Sequence, residues 1–303
     1  MSRKNRPSAH RLGFESLEGR LLMAGNVTAS VVGGDLILTG DSQDNSAQIV
    51  QVMQGGQPIA GSYFVFGSNG TTISGGQSFT NVNDDIKINM HGGSDRIVLG
   101  NGSNNANFIV PDDLEIDMGD GDDTVVLNRI SVRDDATIRT GVGADNVNIS
   151  ASIGGLAGVN SGDNNLTIDT GNNADAVFMQ NTFVRRNLTI NTGTDNSVDS
   201  VSLFRMNIGD DAIINTGDGA DNVMLFRVVV TDDLILNTQG GADFVSIDQC
   251  QVDELFADLG GGNDRLELTN TVGRRKVLQG GFGVDTILES NSLFSQFNSV
   301  NGF

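Results

Sequence analysis

An aspartate that returns at a near-fixed interval constrains this chain more than any other feature. Asp95, Asp123, Asp145, Asp175, Asp199, Asp221, Asp243, Asp264 and Asp285 follow one another at spacings of 28, 22, 30, 24, 22, 22, 21 and 21 residues. Apolar pairs keep step with it. Two and four residues after the aspartate stand Ile97/Leu99, Val125/Leu127, Val147/Ile149, Val177/Met179, Val201/Leu203, Val223/Leu225, Val245/Ile247 and Leu266/Leu268. The last repeat breaks the rule, with Ile287 followed by Glu289. Nine and seven residues before it stand pairs such as Ile86/Ile88, Leu114/Ile116 and Leu234/Leu236, with Leu188/Ile190 joining them after a short insertion. A third set follows the aspartate by seven and nine: Ile130/Val132, Met206/Ile208, Val228/Val230 and Cys250/Val252. Alternation with period two places each pair on one face of a strand. Three inward pairs per repeat predict three short strands per coil of about 22 residues. Stacked coils of that kind form an all-β fold, a parallel β-helix or β-solenoid.

The repeat fills residues 84–289. The long spacings are accounted for by insertions at 101–107 and 154–164, read as loops on one edge. Residues 25–83 alternate less regularly and read as a β-rich N-terminal cap, with a hairpin connection at Gly67-Ser68-Asn69-Gly70. A solenoid needs such an end, because its first coil has a bare edge and an open core. Residues 290–303 read as a C-terminal cap and residues 1–24 as a basic leader.

Charge narrows the partners. The chain carries 18 Lys+Arg against 38 Asp+Glu, a net charge of −20. Five of the basic residues (Arg3, Lys4, Arg6, Arg11 and Arg20) lie in the leader, so the remainder is more acidic still. That excludes a nucleic-acid binder, which needs a basic face for phosphates. No apolar run approaches the length of a membrane span. Cys250, the single cysteine, falls on an inward position and reads as a small core residue.

Two stretches resemble known families. Leu17-Glu18-Gly19-Arg20-Leu21-Leu22 resembles the LEPR-x-L-L segment of exported planctomycete-type bacterial proteins, with glycine in place of proline. The resemblance implies a secreted or cell-surface protein. By physics alone, Leu21–Ala24 is too short for the apolar core of a usual signal peptide. The Gly-rich turns resemble the calcium-binding nonapeptide of RTX-type secreted proteins, G-G-x-G-x-D-x-U-x. Gly280–Leu288 fits it fully. Met118–Val126, Thr140–Asn148, Thr216–Met224 and Leu259–Glu267 lack the first glycine, and Thr238–Ser246 lacks the first two. The resemblance implies Ca²⁺ as a cofactor, with Asp120, Asp122, Asp123, Asp145, Asp218, Asp221, Asp243, Asp264 and Asp285 as candidate ligands. RTX rolls carry the motif every nine residues, whereas this chain carries it once per coil. The turns therefore keep two readings open: stacked calcium sites, or Gly, Asp and Asn making a tight turn and a hydrogen-bonded ladder. A second acidic corner raises the same question at Asp84/Asp85, Asp112/Asp113, Asp134/Asp135, Asp210/Asp211 and Asp232/Asp233.

The outward position eight residues before the aspartate is polar in the early coils and becomes Ile213, Ile235, Phe256 and Val277 in the late ones. A stacked apolar stripe facing solvent calls for a cover or a partner. The segment holding Leu293, Phe294, Phe297, Val300 and Phe303 is expected to fold back over it; the alternative is a partner-binding patch. Arg129, Arg205 and Arg227 share the position six residues after the aspartate, where pairing with carboxylates is expected.

β-Helices include polysaccharide lyases and hydrolases, but fold does not confer function. The carboxylates here sit at repeating turn positions, and beyond the leader the chain has only His91, Lys87 and Lys276 as nitrogen bases. The first expectation is an exported, non-enzymatic β-helical repeat protein of the bacterial surface or extracellular matrix, with surface proteins or glycans as partner classes. A calcium-dependent RTX-like adhesion module is the second, and a carbohydrate-active β-helix enzyme the third.

Overall fold

A computed structural model describes residues 25–101, 108–153, 164–296 and 298–303. The leader, most of both expected loops and Phe297 lie outside the described residues. Among the described residues every regular element is a strand. The chain is a parallel β-solenoid with two long faces, a 13-stranded and a 16-stranded sheet.

Each apolar position stacks on its own counterpart. On one face Ile86 pairs with Leu114, Leu114 with Ala136, Ala136 with Leu166 and Leu166 with Leu188, and the register continues through Ala212, Leu234 and Leu255. On the other face Ile97, Val125, Val147, Val177, Val201, Val223, Val245 and Leu266 stack in the same way. The third set forms shorter strands, among them Phe183–Val184, Asn207–Ile208 and Val229–Val230. Its expected inward residues, from Ile130 to Val252, are all buried. Parallel pairing in exact step follows from the period: a slip by one residue would turn every apolar side chain outward. Each coil buries about six apolar side chains worth roughly 1.5–3 kcal/mol apiece. Those contacts exist only between neighbours, so the stack behaves as a one-dimensional array.

Glycine is required where turns stack. Gly241 has φ 139° and Gly262 has φ 153°. A Cβ on Gly241 would lie 1.4 Å from the Gly219 carbonyl oxygen, and one on Gly262 would lie 1.3 Å from that of Gly241. The glycine just before the aspartate thus lets the turns approach, whatever else they do.

Stacking begins earlier than residue 84. Leu36–Thr39 pairs in parallel with Ile86–Asn89, and Ser46–Ile49 with Arg96–Leu99. The first coil therefore lies inside the segment read as a cap, with Asn45 at the place of the recurring aspartate. The covering itself is largely antiparallel, with Thr72–Ser74 added in parallel to Asn26–Thr28. Asn26–Val32 pairs with Asp35–Thr39, Ser46–Gln54 with Gln57–Gly67, and Ser78–Phe79 with Tyr63 and Phe64. Val27, Ala29, Tyr63, Val65 and Phe79 are buried against the end of the core.

The other end is closed differently. Lys276 and Glu289 occupy two inward positions, in register with Leu255 and Leu268. They form an ion pair, and the Lys276 ammonium lies 5.1 Å above the Phe294 ring. The final segment does not fold back over the outer stripe. Leu293–Phe294 pairs with Val272–Gly273, and Ser299–Asn301 with Val277–Gln279, so the segment adds another layer to the stack. An unpaired strand edge offers backbone donors and acceptors that an outer apolar stripe does not.

Candidate functional site

The recurring aspartate is buried. Asp95, Asp123, Asp145, Asp175, Asp199, Asp221, Asp243 and Asp264 are each at most 2% exposed. One carboxylate oxygen of each accepts the backbone N–H of its counterpart in the preceding coil. Asn45 donates to Asp95 Oδ1 at 2.6 Å, Asp95 to Asp123 at 2.7 Å, and Asp123 to Asp145 at 2.8 Å. The ladder continues through Asp175, Asp199, Asp221, Asp243 and Asp264 to Asp285 at 2.8–2.9 Å. The aspartate backbone N–H at this turn faces the interior, where an unpaired donor is costly; the side chain of the next coil satisfies it.

The second oxygen is the unusual part. At Asp199 it accepts the Thr192 hydroxyl at 2.7 Å. At Asp145, Asp175, Asp221 and Asp243 the hydroxyls of Thr140, Thr170, Thr216 and Thr238 face the carboxylate in the same way, and the Asn45 amide faces Asp95, each easing ionisation. In Asp123, Asp264 and Asp285, Oδ2 is buried with no partner among the described residues. Burial, reinforced by the neighbouring carboxylates, pushes Asp123, Asp175 and Asp243 up to about 7. Asp95 and Asp221 rise to about 6 for the same chief reason. Burial also raises Asp145, Asp199 and Asp264. The row is thus a column of carboxyl groups poised to take a proton, or a hard cation, near neutral pH.

Of the nine candidate calcium ligands, Asp123, Asp145, Asp221, Asp243 and Asp264 belong to this inner column, and half-buried Asp285 closes it. Asp120 and Asp122 are exposed on the turn, and Asp218 is half-buried. Asp122 Oδ1 accepts the Ala144 N–H of the next coil at 2.9 Å. The turns fit a hard cation in kind, since the free Oδ2 atoms are carboxylate oxygens. In number they offer at most one buried free oxygen per turn, and none at Asp199, where Ca²⁺ takes six to eight. Several turn carbonyls already accept cross-coil hydrogen bonds, as Gly240 does from Gly219 and Gly261 from Gly241. Outer groups such as Asp120 and Asp122 would have to complete the shell.

The second acidic corner carries a ladder of the opposite sense. Here the N–H of the later coil donates to the side chain of the earlier one: Asp85 to Asp35 at 3.3 Å, Asp113 to Asp85 at 3.1 Å, and Asp135 to Asp113 at 3.0 Å. Asn165, Asn187, Asp211 and Asp233 continue it at 2.7–3.2 Å. Three groups of carboxylates draw together there: Asp35/Asp84/Asp85, Asp112/Asp113/Asp134 and Asp211/Asp232/Asp233. Cations meet this corner along its length, Arg186 pairing with Asp210 at 3.4 Å in the middle of the stack. Lys87 pairs with Asp35 and Asp85 at 2.7 and 2.8 Å, which holds the Asp35 carboxyl below its usual range. Arg274 pairs with Asp253 and Glu254, and Arg275 with Glu254.

Ile213, Ile235, Phe256 and Val277 form an unbroken outward file, each in register with the next and each half-buried. Arg275 lies over the Phe256 ring, 4.9 Å from its centroid, and covers part of the file. Arg227 does not meet the expected carboxylate. It lies 4.9 Å above the Phe226 ring and donates to Gln249 Oε1 at 3.0 Å. Arg129, Arg205 and Arg227 all have left-handed backbone, φ 52–57°, at the corner after the second strand. Cys250 is 2% exposed, and burial pushes its thiol up to about 11, as suits a core residue.

Of the three nitrogen bases weighed for an enzyme, Lys87 is engaged at the acidic corner and Lys276 in the end of the core, while His91 is exposed. Among the described residues no helix is long and apolar enough to cross a membrane. Comparison with protein-family models, curated proteins and solved structures finds no match.

The inward turn of the aspartate escaped sequence reasoning, yet a signal existed. The aspartate persists in turns that lose the motif glycines, such as Gly171-Asn172-Asn173-Ala174-Asp175. A residue that outlasts its motif serves the coil before it serves a ligand.

Proposed function

We propose that the chain is an exported, non-enzymatic β-helical scaffold of the bacterial cell surface or extracellular matrix. The observation that supports this reading is the uniformity of the stack. Two side-chain ladders brace it lengthwise, and their aspartates recur from coil to coil. Such a column resists local opening, because every coil is tied to both neighbours. Export rests on the leader. Expression of the full chain, and of the chain without residues 1–24, in a planctomycete-type host followed by fractionation tests it. The full chain is expected at the surface or in the medium and the shortened one inside; equal retention of both overturns export.

Calcium-dependent binding is the second reading, favoured by the buried Oδ2 atoms of Asp123, Asp264 and Asp285, which meet no donor among the described residues. It predicts a higher melting temperature in millimolar Ca²⁺ than in EDTA. No shift removes it and leaves the scaffold intact.

A further inference from the structure

The antiparallel covering at the N-terminal end does more than seal the core. Between it and the first coils lies a cavity of about 370 Å³, bounded by Gly61–Tyr63, Thr80–Asn83, Ile109, Pro111 and Arg133. Its floor is fixed. Tyr63 is fully buried, packs on Phe108 at 5.3 Å between ring centroids and donates its hydroxyl to the Ile109 carbonyl. Gln51, 2% exposed, donates to the Ile59 carbonyl and accepts from the Ile109 N–H. Val82 is buried, and its N–H is held by the Gly61 carbonyl at 3.1 Å.

The walls, by contrast, carry uncommitted polar groups. The side chains of Ser62, Thr80, Asn81 and Asn83 make no hydrogen bond among the described residues. Arg133 Nε is buried and has no partner among the described residues. A guanidinium with an unmatched buried N–H is costly until a planar anion meets it, and a carboxylate matches its fork of donors. Hydroxyls and amides that both donate and accept suit ligand hydroxyls. Val82, Ile109 and Pro111 supply apolar wall. The volume lies at the small end of ligand sites. Arg133 also faces the Asp112 carboxylate electrostatically, but its Nε–H stays without a hydrogen-bond partner beside a formed cavity, which in a chain of net charge −20 is a selective feature.

We propose that this cavity binds a sugar acid, a hexuronate residue free or at the end of an acidic glycan, with its carboxylate on Arg133 and its hydroxyls on Thr80, Asn81 and Asn83. The site is independent of the scaffold reading; it concerns the covering, not the stack.

Calorimetric titration of the full chain tests it, with D-glucuronate, D-galacturonate, D-glucose, acetate, phosphate and a short oligogalacturonide at matched ionic strength. A uronate is expected to bind at least about tenfold more tightly than glucose, acetate or phosphate, equivalent to about 1.4 kcal/mol. Arg133→Ala should lose at least about tenfold with the melting temperature unchanged, and Asn83→Ala should lose about threefold. If Arg133→Ala does not fold, Arg133→Lys and Asn83→Ala carry the test. Tighter binding of the oligomer than of the monomer points to a glycan end, and the reverse points to the free sugar acid. The proposal is overturned if no uronate binds, if glucose, acetate or phosphate binds as well, or if the folded variants bind unchanged.

Discussion

Two corners of this solenoid use the same device in opposite directions. At one, the backbone N–H of each coil reaches forward to the aspartate of the next; at the other, it reaches back to the aspartate or asparagine of the last. The bonds are alike in length and the surroundings are not. The first column is sealed beneath a Gly-rich turn, and its second oxygens are buried, facing a threonine hydroxyl at Asp199 and no donor at Asp123 or Asp264. The second column is half-exposed, tolerates Asn165 and Asn187, and meets Lys87, Arg186, Arg274 and Arg275 along its length. The same residue is therefore a buried acid at one corner and a solvated brace at the other. Environment, not residue type, sets what a repeated carboxylate does.

Removing one rung from each column tests that contrast most severely. Asp221→Ala leaves the buried Asp199 N–H without an acceptor and should cost about 2–3 kcal/mol in urea unfolding. Asp211→Ala strips the Asp233 N–H of its acceptor where water can replace it, and should cost about 1 kcal/mol or less. Asp221→Asn keeps the oxygen that accepts the Asp199 N–H and removes the charge. It should match or exceed the wild-type stability at pH 8. Equal damage from Asn and Ala would show that the carboxylate charge is needed, as a bound cation would require.

Acidity sharpens the comparison next. Asp123, Asp175 and Asp243 at about 7, and Asp95 and Asp221 at about 6, lie above the ordinary aspartate value of 3.8. The folded chain then binds more protons than the unfolded one between those values, so stability increases as pH falls from about 8 through 6. The gain is complete once the pH drops below 3.8. The Asp35–Lys87 pair works the other way: its contribution is present above pH 3.8 and is lost as pH falls through the lowered folded value. The melting temperature should therefore climb by several degrees from pH 8 to pH 5. Asp123→Asn combined with Asp243→Asn should flatten that climb. A melting temperature that falls over this range would refute the account of the inner column.

The smallest effect belongs to the outer corner. Lys87→Ala removes two half-exposed ion pairs and should cost about 0.5–1 kcal/mol, shrinking as salt is added. A salt-independent loss would mean that Lys87 contributes chiefly through packing.

Much of the coil was legible because its chemistry is periodic. Ile97, Val125 and Val223 point inward as period two requires, and the third set, down to Cys250, does the same. The first coil was hidden. Asn45 stands where later coils have aspartate, and the hairpin of Ser46–Gln54 and Gln57–Gly67, with the strands that follow it, stretches the interval from Asn45 to Asp95 to 50 residues. The terminal break at Glu289 was visible but had no explanation until Lys276 was seen beside it, because a 13-residue separation carries no contact rule. The cavity was invisible for a similar reason. Gly61–Tyr63, Thr80–Asn83 and Arg133 meet only because the covering folds antiparallel onto a parallel stack.

By itself the sequence determined the architecture: a period near 22 with three inward pairs admits a stack of parallel coils and little else. Tertiary structure decided where the charges go. An aspartate in a turn has no alternation to direct its side chain, so only the neighbouring coil, with a buried N–H to satisfy, draws one column inward. The other column stays half-exposed to water.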